Sequence, residues 1–145
     1  MEIEHCASDA SAKDIWNRLY AFNRSIAGDD HHQLLRLLAK ESGKIVGGLL
    51  GGTYWGYLYV DALIVDAEYQ GRGVGTRLLE EAERIATERG CQHACLDTHD
   101  FQGVGFYRRK GYETVGSLPD LPPGHTKYRM YKKLTISSTR CSSKR

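Results

Sequence analysis

With 145 residues, of which 41% are hydrophobic and 26% charged, the chain has the size and composition of one globular domain. The 20 basic and 18 acidic residues give a formal net charge of +2, which is too small for a protein that binds nucleic acid by neutralising phosphates. The sequence has no run of 18 apolar residues and no secretory leader pattern, so we expect a cytoplasmic protein without a membrane partner. No metal site is expected, because the cysteines form no CxxC pair: Cys6, Cys91, Cys95 and Cys141.

The first half of the chain predicts one helix followed by a meander of three strands. Residues 3–6 predict a short strand, and residues 11–26 predict an amphipathic helix because apolar side chains recur at helical spacing. Strand patterns follow at 34–40, 44–54 and 57–65, and their connections are so short that neighbouring strands must be antiparallel. The glycine-rich run 47–52 lies inside a strand pattern, which indicates bulges or close backbone approach rather than a phosphate loop.

The second half predicts alternating helices and strands. A helix begins after Gly73 and ends at Gly90, with apolar residues along one face. Strand patterns at 93–98, 112–117 and 127–134 accompany a short helix over 101–110. The strand–helix–strand succession between 57 and 98 predicts a parallel crossover, so the fold is a mixed α/β sheet with helices on its faces. We assign residues 1–134 to a single domain and residues 135–145 to a flexible tail.

A glycine-rich turn at residues 70–76 separates the third meander strand from the long helix. Three glycines in five positions let backbone amides crowd at the first helical turn, where unpaired N–H groups and the helix dipole attract an anion such as a pyrophosphate. Arg72 adds a cation, and the Thr76 hydroxyl adds a hydrogen bond. A nucleoside triphosphatase is disfavoured because no lysine precedes Thr76, and a dinucleotide-binding site because Thr76 stands at the third glycine position.

Three blocks of the sequence resemble the GNAT acetyltransferase superfamily. The strand 60–65 followed by the turn 70–75 is similar to the family's Q/R-x-x-G-x-G/A signature at a helix start. Residues 106–112 resemble the aromatic–tyrosine pair before a Gly-aromatic step, and residues 122–134 resemble the closing strand of a bacterial subgroup. The resemblance covers about residues 1–134. It implies a mixed, mostly antiparallel twisted sheet of six to seven strands, flanked by about four helices, with a splayed parallel pair of strands at its centre.

The resemblance implies transfer of an acetyl group from acetyl-CoA to an amine. The edge formed by Leu63, Ile64 and Val65 would pair with the pantetheine arm, as an added strand does. The turn would hold the pyrophosphate, and the cofactor-binding residues of the turn are Gln70, Gly71, Arg72, Gly73, Val74, Gly75 and Thr76. We expect the acceptor to be a primary amine of a small molecule, such as a polyamine, an amino sugar or an antibiotic, and the protein to be a homodimer. The alternatives are a protein lysine or N-terminal amine as acceptor, and a sensor that binds acetyl-CoA without transferring the acetyl group.

Two residues are candidates for the proton transfers. Tyr107 matches the family tyrosine near the CoA sulfur, so the resemblance implies that it is the general acid that protonates the departing thiolate. Asp61 matches a strand position where some members place an ionisable residue that faces the acceptor, so it is the candidate general base. Asp97, His99 and an ordered water are the alternative bases.

The chain departs from the family pattern at two positions. Many members have Asn seven residues before the motif tyrosine, where this chain has Asp100, which we retain as a cofactor-contact candidate. Many members have Ala four residues before that tyrosine, where this chain has Gly103.

Overall fold

The computed structural model describes residues 1–135, so all but the first residue of the predicted tail 135–145 lies outside the described range. The chain divides into two compact units, the first being Met1–His31 and the second beginning at His32, and each is described separately. The assignment of residues 1–134 to one domain stays a prediction. Within residues 1–135, no helix is long and apolar enough to cross a membrane.

The first unit contains helix α1, Asp9–Ala27. The helix begins where the Ser8 hydroxyl accepts the Ser11 N–H at 3.3 Å, and it ends at Gly28, whose positive φ of 78° suits glycine. The structure has no strand among residues 1–8, so the strand predicted for residues 3–6 is wrong. Four residues of alternating polarity arise easily by chance, and a strand persists only where its backbone groups meet a partner.

The second unit is a six-stranded mixed sheet in the order β1-β2-β3-β4-β6-β5. Every neighbouring pair is antiparallel except β3 and β4, which are parallel because helix α2 lies between them along the chain. This arrangement confirms the predicted fold class, with three α-helices and one 3-10 turn, Ala67–Tyr69, in the described residues. The bounds are β1 Gln33–Glu41, β2 Lys44–Tyr54, β3 Tyr57–Val65, α2 Val74–Glu88, β4 His93–His99, α3 Val104–Arg109, β5 Glu113–Pro119 and β6 Thr126–Lys133.

The hydrophobic core lies between the sheet and α2. Alternate residues of β1, β2, β3, β4 and β6 form one apolar face of the sheet, and the apolar face of α2 packs on β1, β2 and β3. The fully buried side chains include Leu49, Leu58, Leu79, Leu96 and Met130. Because the side chains alternate along a strand, the residues between these positions, including Tyr59, Asp97 and Arg129, belong to the opposite face of the sheet.

The parallel pair splays apart beyond its first four residues. The register joins Tyr57–Val60 to residues 93–96 and stops at Val60 opposite Leu96, after which β4 continues beside β6 and β3 beside β2. A β-bulge marks the same point, because Gly51 pairs with Val60 while Leu50 pairs with Ala62. Asp61 is therefore the extra residue of β3, and the bulge bends the strand away from β4.

Candidate active site

The splayed strands open a cleft of about 960 Å³. One wall is residues 60–65 of β3, the opposite wall is the end of β4 with α3, and the glycine turn closes one end. The structure brings eleven of the sequence-predicted site residues to this cleft: Asp61, Leu63, Ile64, Val65, Gln70, Gly71, Gly73, Val74, Gly75, Thr76 and Tyr107. Arg72 and Asp100 are not among the lining residues.

The β3 wall presents a strand edge that has no β-partner within the described residues. β2 occupies one edge of β3 along its whole length, whereas the other edge is paired only as far as Val60. The N–H of Asp66 donates to the Val46 carbonyl of β2 at 2.8 Å, so by alternation the backbone groups of Val65 and Leu63 face the cleft. An extended ligand can add to such an edge through main-chain hydrogen bonds.

Backbone conformation shapes the glycine turn. Gly71 and Gly73 have φ of 74° and 79°, in the left-handed region that side chains other than glycine rarely adopt. Gly73 is the N-cap of α2, and the first intrahelical bond runs from Arg77 N–H to its carbonyl at 3.0 Å. No side chain caps this helix, and its first turn contains no acidic residue. The amides of residues 74–76 are therefore donors available to an anion in the cleft.

Two other residues of the turn have contacts within the protein. The Gln70 side-chain amide donates to the Val65 carbonyl at 3.0 Å, which ties the turn to the end of β3. The Arg72 guanidinium lies 5.1 Å from the centre of the Tyr69 ring. Gln70 thus positions the turn, and Arg72 packs beside it without lining the cleft.

Tyr107 brings a buried phenol to the cleft. The residue is 8% exposed and lies on α3. Its ring makes edge-to-face contacts with Phe106 and Tyr112, at centroid distances of 5.2 and 5.8 Å. Gly103 lies so close that a Cβ at that position would be 3.1 Å from Cε2 of Tyr107. Burial raises the pKa of Tyr107, because the phenolate form would lose its hydration. The phenol is therefore protonated at neutral pH and can donate its proton.

Asp61 lies in the cleft at the bulge, with its side chain exposed. It forms no hydrogen bond or ion pair with any described residue. Burial raises the pKa of Tyr54, and the negative charge of Asp61 adds a smaller contribution in the same direction. A carboxylate in this setting can attract an ammonium group and accept a proton from it.

Asp97 lines the same cleft but is committed to other side chains. Arg129 donates Nε to Oδ1 at 2.7 Å and Nη2 to Oδ2 at 2.9 Å, and the Tyr59 hydroxyl donates to Oδ2 at 3.1 Å. The hydrogen bonds from Arg129 hold the pKa of Asp97 below its usual range. A carboxylate so stabilised is a weaker base than an unpaired one, so Asp61 is the better placed of the two.

Asp100 and His99 lie at the end of β4, outside the lining of the cleft. Asp100 accepts the Thr126 N–H at 2.9 Å and contacts His125 Nδ1 at 2.9 Å, which joins β4 to the start of β6. His99 Nδ1 contacts the Gln102 amide oxygen at 3.0 Å, and its ring stacks on Phe101. Neither Asp100 nor His99 lines the cleft.

Sequence reasoning missed the residues that connect β4 to α3. The buried Thr98 hydroxyl accepts the Gly103 N–H at 3.2 Å, and both residues line the cleft with Phe101, Gln102 and Phe106. This contact fixes the start of the helix that carries the phenol. The available signal was the alternation of Ala94 and Leu96 along the predicted strand, because it continues to Thr98 and places a hydroxyl on the core face, where a polar group needs a partner.

Comparison with known proteins gives one consistent result. The model of the Acetyltransferase (GNAT) family matches residues 3–112. Blasticidin-S acetyltransferase of Streptomyces morookaense is 46% identical over 95 residues, which are 65% of this chain and 70% of that protein. The crystal structure of an acetyltransferase from Bacillus cereus has a TM-score of 0.87 at 33% identity, covering 92% of this chain and 99% of the other.

The crystal structure of nourseothricin acetyltransferase has a TM-score of 0.58 at 28% identity, over 66% of this chain and 61% of that one. The family match, the relatives and the splayed sheet agree on the same assignment. The chain belongs to the GNAT acetyltransferase family and is an acyltransferase whose acyl donor is acetyl-CoA.

Proposed function

We propose that the protein transfers the acetyl group of acetyl-CoA to a primary amine of a small molecule of the antibiotic class. The observation that carries the proposal is the presence, in one cleft, of a free strand edge, an uncapped helix start and a protonated phenol. The substrate class rests on the similarity to blasticidin-S acetyltransferase and nourseothricin acetyltransferase.

The residues of the cleft fit acetyl-CoA. Along the free edge at Leu63, Ile64 and Val65, the backbone groups of Leu63 and Val65 face the cleft, and the two amides of a pantetheine arm can pair with them in the manner of a strand. The uncapped amides of Val74 and Thr76, with Gly75 between them, fit a pyrophosphate. The bound donor supplies an activated acetyl group as a thioester.

Tyr107 is the proposed general acid. Its hydroxyl forms no hydrogen bond with a described residue, and burial keeps the phenol protonated. As the thioester breaks, negative charge develops on the departing sulfur, and the phenol can donate its proton there. The ring is held by Gly103, Phe106 and Tyr112, so the hydroxyl is oriented before the reaction begins.

Asp61 is the proposed group that receives the acceptor. Its carboxylate attracts an ammonium ion to the mouth of the cleft and takes up the proton that must leave before the nitrogen can attack. The bulge places this side chain at the point where β3 and β4 separate. The amine and the phenol therefore act from two walls of one cleft.

The test is release of free thiol from acetyl-CoA in the presence of single acceptors. Blasticidin S, nourseothricin, an aminoglycoside, spermidine and a lysine peptide are compared, with product mass as the second readout. We expect acetylation of at least one antibiotic and slower reaction of the peptide. Acetylation of the peptide alone would establish the protein-acceptor alternative, and tight acetyl-CoA binding with no thiol release from any acceptor would establish the sensor alternative.

Two further assignments complete the proposal. We propose a homodimer, checked by light scattering at several protein concentrations, and a cytoplasmic location, checked by fractionation of the producing cells. We also propose that residues 1–134 suffice for activity, so that removal of residues 135–145 leaves the rate of thiol release unchanged.

A further inference from the structure

A cluster of charged side chains lies on the sheet face opposite α2, at the base of the splay. It consists of Asp97 on β4 and Lys127 and Arg129 on β6, with the Tyr59 hydroxyl between them. Asp97 is also part of the cleft wall. We call these four residues the β6 cation cluster.

The charges of the β6 cation cluster do not cancel. Arg129 and Lys127 carry two positive charges, and among the described residues Asp97 is the one carboxylate that they contact, with Lys127 Nζ 3.7 Å from its Oδ2. Arg129 uses Nε and Nη2 in its hydrogen bonds, so its Nη1 has no partner within residues 1–135. The side chains of Arg129 and Lys127 are 52% and 32% exposed, so an incoming anion can reach both.

An anion bound at this cluster would not be the pyrophosphate of the acyl donor, because the two positions are far apart. The glycine turn follows the far end of β3, and the five residue-to-residue steps from Val60 to Val65 span roughly 16 Å. The donor's pyrophosphate belongs to that distant turn in the proposed function. The cluster instead includes Tyr59, which lies two residues before Asp61 on β3, at the end of the cleft where the proposed function places the acceptor.

We propose that Lys127 and Arg129 bind an anionic group, a carboxylate or a phosphate, carried by the acceptor. The inference rests on the proposed function and narrows its substrate class to molecules with an amine and an acid. An uncharged or purely cationic amine would meet uncompensated positive charge at this face, whereas an amino acid-like molecule presents its ammonium to Asp61 and its anion to the cluster. Tyr59 and Asp97 act as positioning residues that hold the guanidinium in place.

The test measures equilibrium binding, so it does not depend on turnover. Three probes are titrated into the acetyl-CoA-free protein and followed by backbone amide shifts in NMR spectra: 6-aminohexanoate, hexylamine and 2-aminoethyl phosphate. We expect an acid-bearing probe to bind about tenfold more tightly than hexylamine and to shift the amides of residues 127–129. Comparison of the carboxylate and phosphate probes identifies the anion, and added salt should weaken the binding.

Variants distinguish the cluster from general surface charge. Lys127→Gln should remove most of the advantage of the acid-bearing probes, whereas Lys133→Gln, which removes a charge from the same strand away from Asp97, should preserve it. Arg129→Gln is the second variant and should have the same effect as Lys127→Gln. If Arg129→Gln fails to fold, the test rests on Lys127→Gln. Equal binding of all three probes, no binding of any probe at about 10 mM, or equal effects of Lys127→Gln and Lys133→Gln would overturn the inference.

The proposed function can fail separately from this inference. If the probes bind as expected but no amine is acetylated in the thiol assay, the anion subsite stands and the catalytic proposal is wrong. If amines are acetylated with no preference for an acid-bearing acceptor and no binding difference, the catalytic proposal stands and the subsite is wrong.

Discussion

Gly103 lies directly against the Tyr107 ring, where an added Cβ would be 3.1 Å from Cε2. The backbone of Gly103, with φ of −116° and ψ of 23°, permits alanine, so the consequence of a methyl group is contact with the ring rather than backbone strain. The lack of a side chain at Gly103 therefore leaves the space that the Tyr107 ring, the candidate general acid, occupies.

The first prediction follows from that contact. Gly103→Ala should displace the Tyr107 ring by a few tenths of an ångström and lower kcat about tenfold, with little change in the KM for acetyl-CoA. Gly105→Ala is the control, because its Cβ would meet only the flexible Arg109 side chain at 3.3 Å. Steady-state kinetics on both variants checks the prediction, and equal kcat values for Gly103→Ala and the wild type would contradict it.

The second prediction concerns the phenol itself. Tyr107→Phe retains the ring packing and removes the proton donor, so kcat should fall about 100-fold while acetyl-CoA affinity stays the same. Tyr112→Phe removes a neighbouring buried hydroxyl that has no hydrogen-bond partner, and it should leave kcat unchanged without loss of stability. Initial-rate thiol assays measure kcat, and calorimetric titration measures the affinity for acetyl-CoA. Equal kcat values for the two variants would remove Tyr107 from the proposed role.

The third prediction concerns the anion-binding turn. Gly73→Ala places alanine at φ of 79°, which should destabilise the fold by about 1–2 kcal/mol and disturb the amides of the first turn of α2. We expect acetyl-CoA affinity to fall about tenfold. Gly90→Ala introduces the same strain at the other end of α2, at φ of 89° with equally open space, and should cost similar stability without affecting affinity. Equal affinities of the two variants for acetyl-CoA would contradict this account.

Sequence patterns predicted the sheet more fully than they predicted the site. The strands at 44–54 and 57–65 have the predicted bounds because alternation and tight turns are local signals. The extra residue at Asp61 depends on which residues of β2 lie opposite, and that register is a property of two strands. Likewise, Asp97 and Arg129 are 32 positions apart in the sequence, so a local sequence pattern does not predict the contact between them.

The fourth prediction separates Asp61 from the other candidate bases. Asp61→Asn should lower kcat/KM for a cationic amine about 100-fold, because both the attraction of the ammonium group and the acceptance of its proton are lost. Asp66→Asn is the control, since Asp66 follows the same strand but does not line the cleft. Rates are compared over a pH range in which both variants are folded. An unchanged kcat/KM for Asp61→Asn would contradict its role as the base and would favour Asp97 or an ordered water.

The fifth prediction uses the acid sensitivity of the Asp97 cluster. The hydrogen bonds from Arg129 and Tyr59 lower the pKa of Asp97 in the folded protein relative to about 3.9 in the unfolded chain. The unfolded state therefore binds the proton more readily, so this stabilising contribution is complete above about pH 4 and is lost as the pH falls through the lower, folded-state value. Thermal unfolding between about pH 6 and about pH 2.5 should show a steeper decrease in Tm for the wild type than for Asp97→Asn. Asp61→Asn, which removes a carboxylate without a hydrogen bond to any described residue, should retain the wild-type slope. If Asp97→Asn and Asp61→Asn gave the same slope as the wild type, the ion pair with Arg129 would make no net contribution to stability.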